Sequence, residues 1–475
     1  MWPVVFTPGR RKWTPAFRFI ESAFGPLWDR HFLQRHAMKL RTLPLTLALM
    51  TAFAGTAQAQ SLSTLYQAAK GHDATFKAVR SQYEAALAKA EQAKALLRPT
   101  AGLGGNLSES NLDNQSNAMG SGAFGTRSLS VNGSHPLYRP ANLASFAQGM
   151  KQVDLAQAQL KAAEQELMVR TSQAYFDVLT AQESLSFVKA QKTAVSEQLA
   201  AAKRNFEVGT ATITDTREAQ ARFDLVTAQE IAADNDLQVK RLALDQTVGI
   251  AQIKPLGLQA AADIARLHSG TIDSWVAQSD ASNTSLTQAR IALEVAQLEI
   301  DKAKAALKPT VDLNASYGMT RYRNGALPSQ PHTNTATIGV ALNMPLYTGQ
   351  ASQNRILETL ALQDKARNEL DAAQRNVAQA TRTAFYGVQS GLSQITALQA
   401  AEASSQSALD ANKLGYQVGV RINIDVLNSQ SQLFQTKRDL AKARHDVLLG
   451  QLRLRQSSGT LQDADLQAVS GLLQK

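Results

Sequence analysis

Thr310-Val311-Asp312-Leu313-Asn314-Ala315-Ser316-Tyr317-Gly318-Met319 is the stretch whose reading decides the fold. Successive side chains of an extended strand point to opposite sides. Val311, Leu313, Ala315, Tyr317 and Met319 therefore share one face, and Thr310, Asp312, Asn314, Ser316 and Gly318 share the other. Shortly after, Ala336, Ile338, Val340 and Leu342 alternate with Thr337, Gly339 and Ala341 in the same way. A strict period of two over ~10 residues is the pattern of a strand crossing a membrane, apolar towards lipid and polar towards a lumen. A half-buried hairpin of a soluble protein alternates equally well, so the pattern alone leaves both open.

The stretch has a copy upstream. Leu97-Arg98-Pro99-Thr100 matches Leu307-Lys308-Pro309-Thr310 at an offset of 210 residues, and Pro136-Leu137-Tyr138 matches Pro345-Leu346-Tyr347 at 209. Ala174-Tyr175-Phe176 with Ala384-Phe385-Tyr386, Phe206-Glu207-Val208-Gly209 with Tyr416-Gln417-Val418-Gly419, Asp215 with Asp425, and Gly249 with Gly459 extend the register along the chain. This predicts a tandem duplication of a unit far longer than a solenoid repeat. Each unit reads as helix, two strands, long helix, tight turn, helix. The first covers 60–249 with its hairpin at 100–134, and the second covers 286–459 with its hairpin at 310–343. Residues 250–285, broken by Pro255, Gly257 and Gly270, read as a linker or equatorial segment, and 460–475 as a C-terminal tail.

The long helix after the first strand pair runs from Asn142 to Glu207 without proline. Val153, Leu160, Leu167, Ala174, Ala181, Val188 and Val195 recur at seven-residue spacing, as do Leu370, Val377, Ala384, Gly391 and Leu398 in the second unit. Such a seam predicts left-handed supercoiling against neighbouring helices. Four strands per chain cannot close a barrel, since the smallest have about eight. An open edge in lipid leaves backbone groups unpaired at several kcal/mol each, so copies of the chain must associate.

Met38-Lys39-Leu40-Arg41, the apolar run Leu43 to Ala54 and Ala57-Gln58-Ala59 read as a secretory signal peptide over 38–59, with Gln60 the expected mature start. Residues 1–37, with Trp2, Trp13 and Trp28 and no period, read as a start-site artefact; a long charged n-region is the alternative. Arg10, Arg11, Lys12, Arg18, Arg30 and Arg35 outweigh Glu21 and Asp29 there, and Lys39 and Arg41 follow, so over half of the net charge of +10 precedes Gln60. The mild excess left over a long chain describes a solvated surface and no nucleic-acid partner. Aromatics at 6% are too few for a large globular core. The seven histidines are scattered without metal-ligand spacing, no nucleophile, P-loop or dinucleotide motif occurs, and there is no cysteine. The reading is therefore not an enzyme, with no metal and no cofactor.

Residues 60–475 together resemble the TolC family of outer-membrane efflux proteins. Leu65, Ala68-Ala69 and His72-Asp73 look like the family's opening helix, and Arg98-Pro99 and Lys308-Pro309 like its helix-to-strand junctions. The most specific likeness lies in two hairpin tips, Val208-Gly209-Thr210 with Ile213-Thr214-Asp215, and Tyr416-Gln417-Val418-Gly419 with Arg421 and Ile424-Asp425-Val426-Leu427. The resemblance implies a mainly α protein with membrane β, a homotrimer whose twelve-stranded barrel, four strands per chain, continues as a long α-helical barrel of coiled hairpins. It implies outer-membrane location with a long periplasmic extension. It also implies an exit duct for solutes or proteins, working with a periplasmic adaptor (membrane fusion protein) and an inner-membrane transporter of ABC or RND type. The missing cysteine fits the secretion and general-efflux branch. By the same resemblance, Thr214 and Asp215 facing Tyr416 and Arg421 are gate links. Asp425 and Asn428 mark the periplasmic constriction, where the family has two acidic positions and Asn428 departs from the second. Val208, Gly209, Thr210, Val418, Gly419 and Val420 are adaptor-docking tips. The competing reading is a periplasmic coiled-coil adaptor or scaffold, which also carries a helical hairpin, but a single one flanked by compact β-domains.

Overall fold

The computed structural model describes residues 61–112, 122–259, 263–267, 270–323 and 332–473. The signal peptide and the segment before it lie outside the described residues. In chain order the elements are α1 (Leu62–His72), α2 (Ala74–Ala95), β1 (Thr100–Leu112), β2 (Gly122–Tyr138), α3 (Pro140–Glu207) and α4 (Ile213–Val248). A 3-10 turn at Ile264–Leu267 precedes α5 (Ile272–Ser282), α6 (Thr284–Ala305), β3 (Thr310–Arg323), β4 (His332–Asn343), α7 (Ala351–Gln417), α8 (Asn423–Ser457) and α9 (Asp463–Ser470).

The strands form one antiparallel sheet in the order β1-β2-β3-β4, leaving β1 and β4 as edges. Its register carries the alternation of β3 across all four strands. Leu103 pairs with Val131, Val131 with Tyr317, and Tyr317 with Ala336; Ala315 pairs with Ile338, and Leu313 with Val340. Leu103, Leu107, Leu129, Val131, Ile338, Val340 and Leu342 are all exposed on this face. The other face carries Asn106, Ser130, Asn132, Asn314, Ser316 and Thr337. β2 runs past Ser134 to Tyr138. Pro136 is tolerated because β1 has already ended at the Thr100–Ser134 pair and the register shifts between Pro136 and Tyr138.

Each strand pair leads into a helix of about 100 Å at 1.5 Å per residue, 68 residues in α3 and 67 in α7. Pro140 opens α3, where a missing N–H costs nothing. Arg139 grips Asp312 of β3 through two bonds of 2.7 Å, tying the helix start to the sheet. In α3 the seven-residue seam is buried at Val153, Leu167, Ala181, Val188 and Val195. In α7 it is half-buried, and Gly391 lies so near Val447 that a Cβ would stand 2.5 Å from its methyl.

The main core is a collar around the middle of the helices. Leu62, Leu65, Tyr66 and Ala69 of α1, Leu167, Tyr175 and Phe176 of α3, Leu244 and Val248 of α4, Leu448 and Leu452 of α8, and Leu466 and Val469 of α9 meet there. α5 and α6 repeat α1 and α2, so the repeat pattern begins inside the stretch read as linker. Asp73 and Asn283, 210 residues apart, each cap the second helix of the pair. Gly249 and Gly459 end α4 and α8 at φ +78° and +74°, where a Cβ would strike His72 and Ser282 at 2.3 and 2.1 Å. In the collar His445 stacks on Phe176, its Nδ1 lies 2.9 Å from the Thr180 hydroxyl, and burial lowers its pKa to about 4.

Candidate gate and docking tips

The two tips have one backbone design. In the first, Gly209 sits at φ +78° and closes α3. Its N–H donates to the Phe206 carbonyl at 3.0 Å, and the Thr210 N–H to that of Asn205 at 2.8 Å. In the second, Gly419 at φ +77° donates to Tyr416 at 3.1 Å and Val420 to Gly415 at 2.9 Å. Both are Schellman closures, which satisfy the last helical carbonyls through a left-handed residue. Val208, Thr210, Val418 and Val420 are exposed around the two glycines. The positions read as docking tips thus present exposed Val208, Val418 and Val420 side chains, with Thr210 beside the first.

The returning helices start differently. Thr212 caps α4 in a reciprocal box: the Asp215 N–H donates to the Thr212 hydroxyl at 3.2 Å, and the Thr212 N–H to Asp215 Oδ2 at 2.9 Å. The equivalent of Thr212 is Ile422, which offers no side-chain cap to α8. Asp425, the equivalent of Asp215, pairs instead with Arg421 at 3.6 Å. Arg421 folds back over Gly415, where a Cβ would meet its Cγ at 2.7 Å.

The tips lie against one another. Asn205 donates to the Tyr416 hydroxyl at 3.2 Å, Asn423 donates to the Asp215 carbonyl at 3.4 Å, and Gln198 donates to Asn423, which is fully buried. Arg222 donates to Asn428 Oδ1 at 2.8 Å. Leu427 is fully buried among Val188, Val195, Leu199, Ala202, Ala219 and Val226 of the first hairpin, a burial worth about 1.5–3 kcal/mol. The second hairpin is thus anchored to the first by Asn423 and Leu427, while Tyr416, Arg421, Asp425 and Asn428 gather on its half-buried and exposed side.

Within the chain, Tyr416 and Arg421 bond to Asn205 and Asp425. Thr214 is exposed, and Asp215 Oδ1 accepts no hydrogen bond among the described residues. The sequence reading missed Thr212, Asn205, Asn423 and Arg222. Thr212-x-x-Asp215 has capping-box spacing and was discoverable. The others answer to residues some two hundred positions away and carry no local signal.

The model of the family described as "Outer membrane efflux protein" matches residues 65–250 and 275–460. The chain belongs to this family. It is 32% identical to the outer membrane protein TolC of Vibrio cholerae over 438 residues, covering 91% of this chain and 98% of that one. It is 30% identical to the alkaline protease secretion protein AprF of Pseudomonas aeruginosa over 339 residues, covering 70% of each. The solved structure of VceC from Vibrio cholerae superposes with a TM-score of 0.73 at 20% identity, covering 84% of this chain and 96% of that one. As an outer membrane efflux protein the chain places its sheet in the outer membrane and extends its helices into the periplasm, where it serves as an exit duct. These relatives are outer-membrane and secretion proteins, and nothing supports the competing adaptor or scaffold reading.

Proposed function

We propose that three copies of this chain make one continuous duct, a twelve-stranded barrel above and a tunnel of coiled hairpins below, that passes solutes or proteins out of the cell. The observation that carries this is the sheet, whose four strands have an apolar face in register and two unpaired edges. The edge groups can be satisfied in lipid only by other strands, and copies of β1 and β4 supply them. The half-buried α7 seam finds its neighbours in the same closure. No helix among the described residues is long and apolar enough to cross a membrane.

At the periplasmic mouth, Tyr416 and Arg421 close the duct on Thr214 and Asp215, using the free Asp215 Oδ1. Asp425 and Asn428 set the constriction. The exposed tips around Gly209 and Gly419 receive a periplasmic adaptor, which joins the duct to an inner-membrane ABC or RND transporter. The relatives named for protease secretion favour protein cargo beside small solutes. Reconstitution in planar bilayers tests the duct: discrete cation-preferring steps are expected from the purified assembly, and a bilayer that stays silent with inserted protein contradicts it.

A further inference from the structure

Arg127, Arg321 and His332 occupy one row across β2, β3 and β4, with Arg127 paired to Arg321 and Arg321 to His332. By the strand period they lie on the apolar face, not the polar one, two positions beyond Leu129 and Met319. They sit at the strand ends far from the helices. From Val311 to Arg321 a strand climbs about 33 Å, or about 24 Å when tilted by ~45°, which matches the apolar band of about 25 Å in such barrels. The row therefore begins where the hydrocarbon ends, at the outer surface of the membrane.

All three side chains are exposed, and none has a hydrogen-bond or ion-pair partner among the described residues. Two arginines directly opposite one another, about 5 Å apart, repel and destabilise a sheet unless an anion lies between them. Glu109 is in the next row, paired with Gly125, and the residue directly opposite Arg127 on β1 is Leu107. The rim is thus a cationic row, repeated in each copy.

We propose that this row binds the phosphate groups of outer-leaflet glycolipid, with Arg127 and Arg321 forking onto one phosphate and the His332 ring donating to it. Guanidinium pairs suit phosphate because their donors match its oxygens two at a time. The proposal rests on the membrane placement of the sheet and adds a specific lipid contact to it.

The test is native mass spectrometry of the detergent-purified full assembly with bisphosphorylated lipid A and with the same lipid A stripped of phosphate. Wild type should retain the phosphorylated lipid, and Arg127→Gln with Arg321→Gln should lose about fivefold or more of it while keeping its oligomeric mass. Dephosphorylated lipid should bind wild type as weakly as the phosphorylated lipid binds the variant, and excess inorganic phosphate should displace nothing. Equal retention of both lipids by wild type overturns the proposal even if the variant fails to assemble. Displacement by inorganic phosphate overturns it too, as a site for free anion. An assembly that conducts yet takes both lipids equally leaves the duct intact, whereas protein that never enters lipid breaks the placement itself.

Discussion

At position 212 the first hairpin tip has threonine; 210 residues later the second has isoleucine. Both tips turn on a left-handed glycine with the same pair of carbonyl bonds. In the first, the aspartate three residues after the threonine is spent on holding the start of α4. In the second, the matching Asp425 has no cap to hold and is left to Arg421. The two turns share one backbone, but the carboxylate that caps α4 in the first tip corresponds to one paired with Arg421 in the second. Under the gate proposed above, the first tip is the fixed side of the mouth and the second the moving side. Under the same proposal Asn423 and Leu427, both buried against the first hairpin, are the pivot.

The shared backbone should be the most sensitive part. Gly209→Trp or Gly419→Trp meets open space, so the cost is the positive φ, about 1–2 kcal/mol, and a large ring standing on the docking point. Either is expected to abolish export with assembly and membrane level unchanged; export assays on both variants check this, and normal export with both removes the docking role.

The difference between the tips is probed next. Tyr416→Phe with Arg421→Ser should raise single-channel conductance in planar bilayers. Arg421 is more than half exposed, so each link contributes about 1 kcal/mol or less. Three together can still move the open fraction about tenfold or more. Conductance equal to wild type would return these residues to an ordinary surface cluster.

A smaller effect concerns charge at the constriction. Asp425→Ala should lower cation preference and weaken block by multivalent cations. Asn428→Asp should strengthen the block, and more so with Arg222→Gln, because Arg222 already reaches the Asn428 side chain and would neutralise part of a new carboxylate. Reversal-potential and block measurements read both; block that ignores Arg222 contradicts the contact.

The smallest effect sharpens the comparison directly. Thr212→Ala should cost about 1 kcal/mol at the start of α4, while Ile422→Thr should draw Asp425 into a cap and stabilise α8 by a similar amount. The second change should also slow opening, since the capped Asp425 releases Arg421. Thermal midpoints and open probability of the two variants check the pair; a destabilised Ile422→Thr would show that the tips do not differ in the way described.

The fold was legible because its signals are periodic. Alternation at 311–319 fixed the sheet faces, seven-residue spacing from Val153 to Val195 fixed the seam, and the 210-residue offset fixed the order of elements. The helix α6 was legible as the opening of the second unit, but α5 before it was not. Its break at Asn283 is a single capping residue, and Pro255 and Gly270 nearby suggested a linker. The continuation of β2 through Pro136 was hidden because proline speaks against a strand wherever a neighbour's ladder needs its N–H, and only the early end of β1 removes that need. The residues of the mouth could be placed by resemblance, but their partners could not. Whether Tyr416 bonds to Asn205 or to Asp215 depends on how two hairpins meet, which no local pattern encodes.

The central claim is that the open sheet is one third of a closed barrel. Native mass measurement of the detergent-solubilised, signal-processed protein tests it most directly. Three chains per particle, falling to one only when heat or denaturant also abolishes channel activity, is the predicted result. A stable single chain that still forms conducting pores would contradict it.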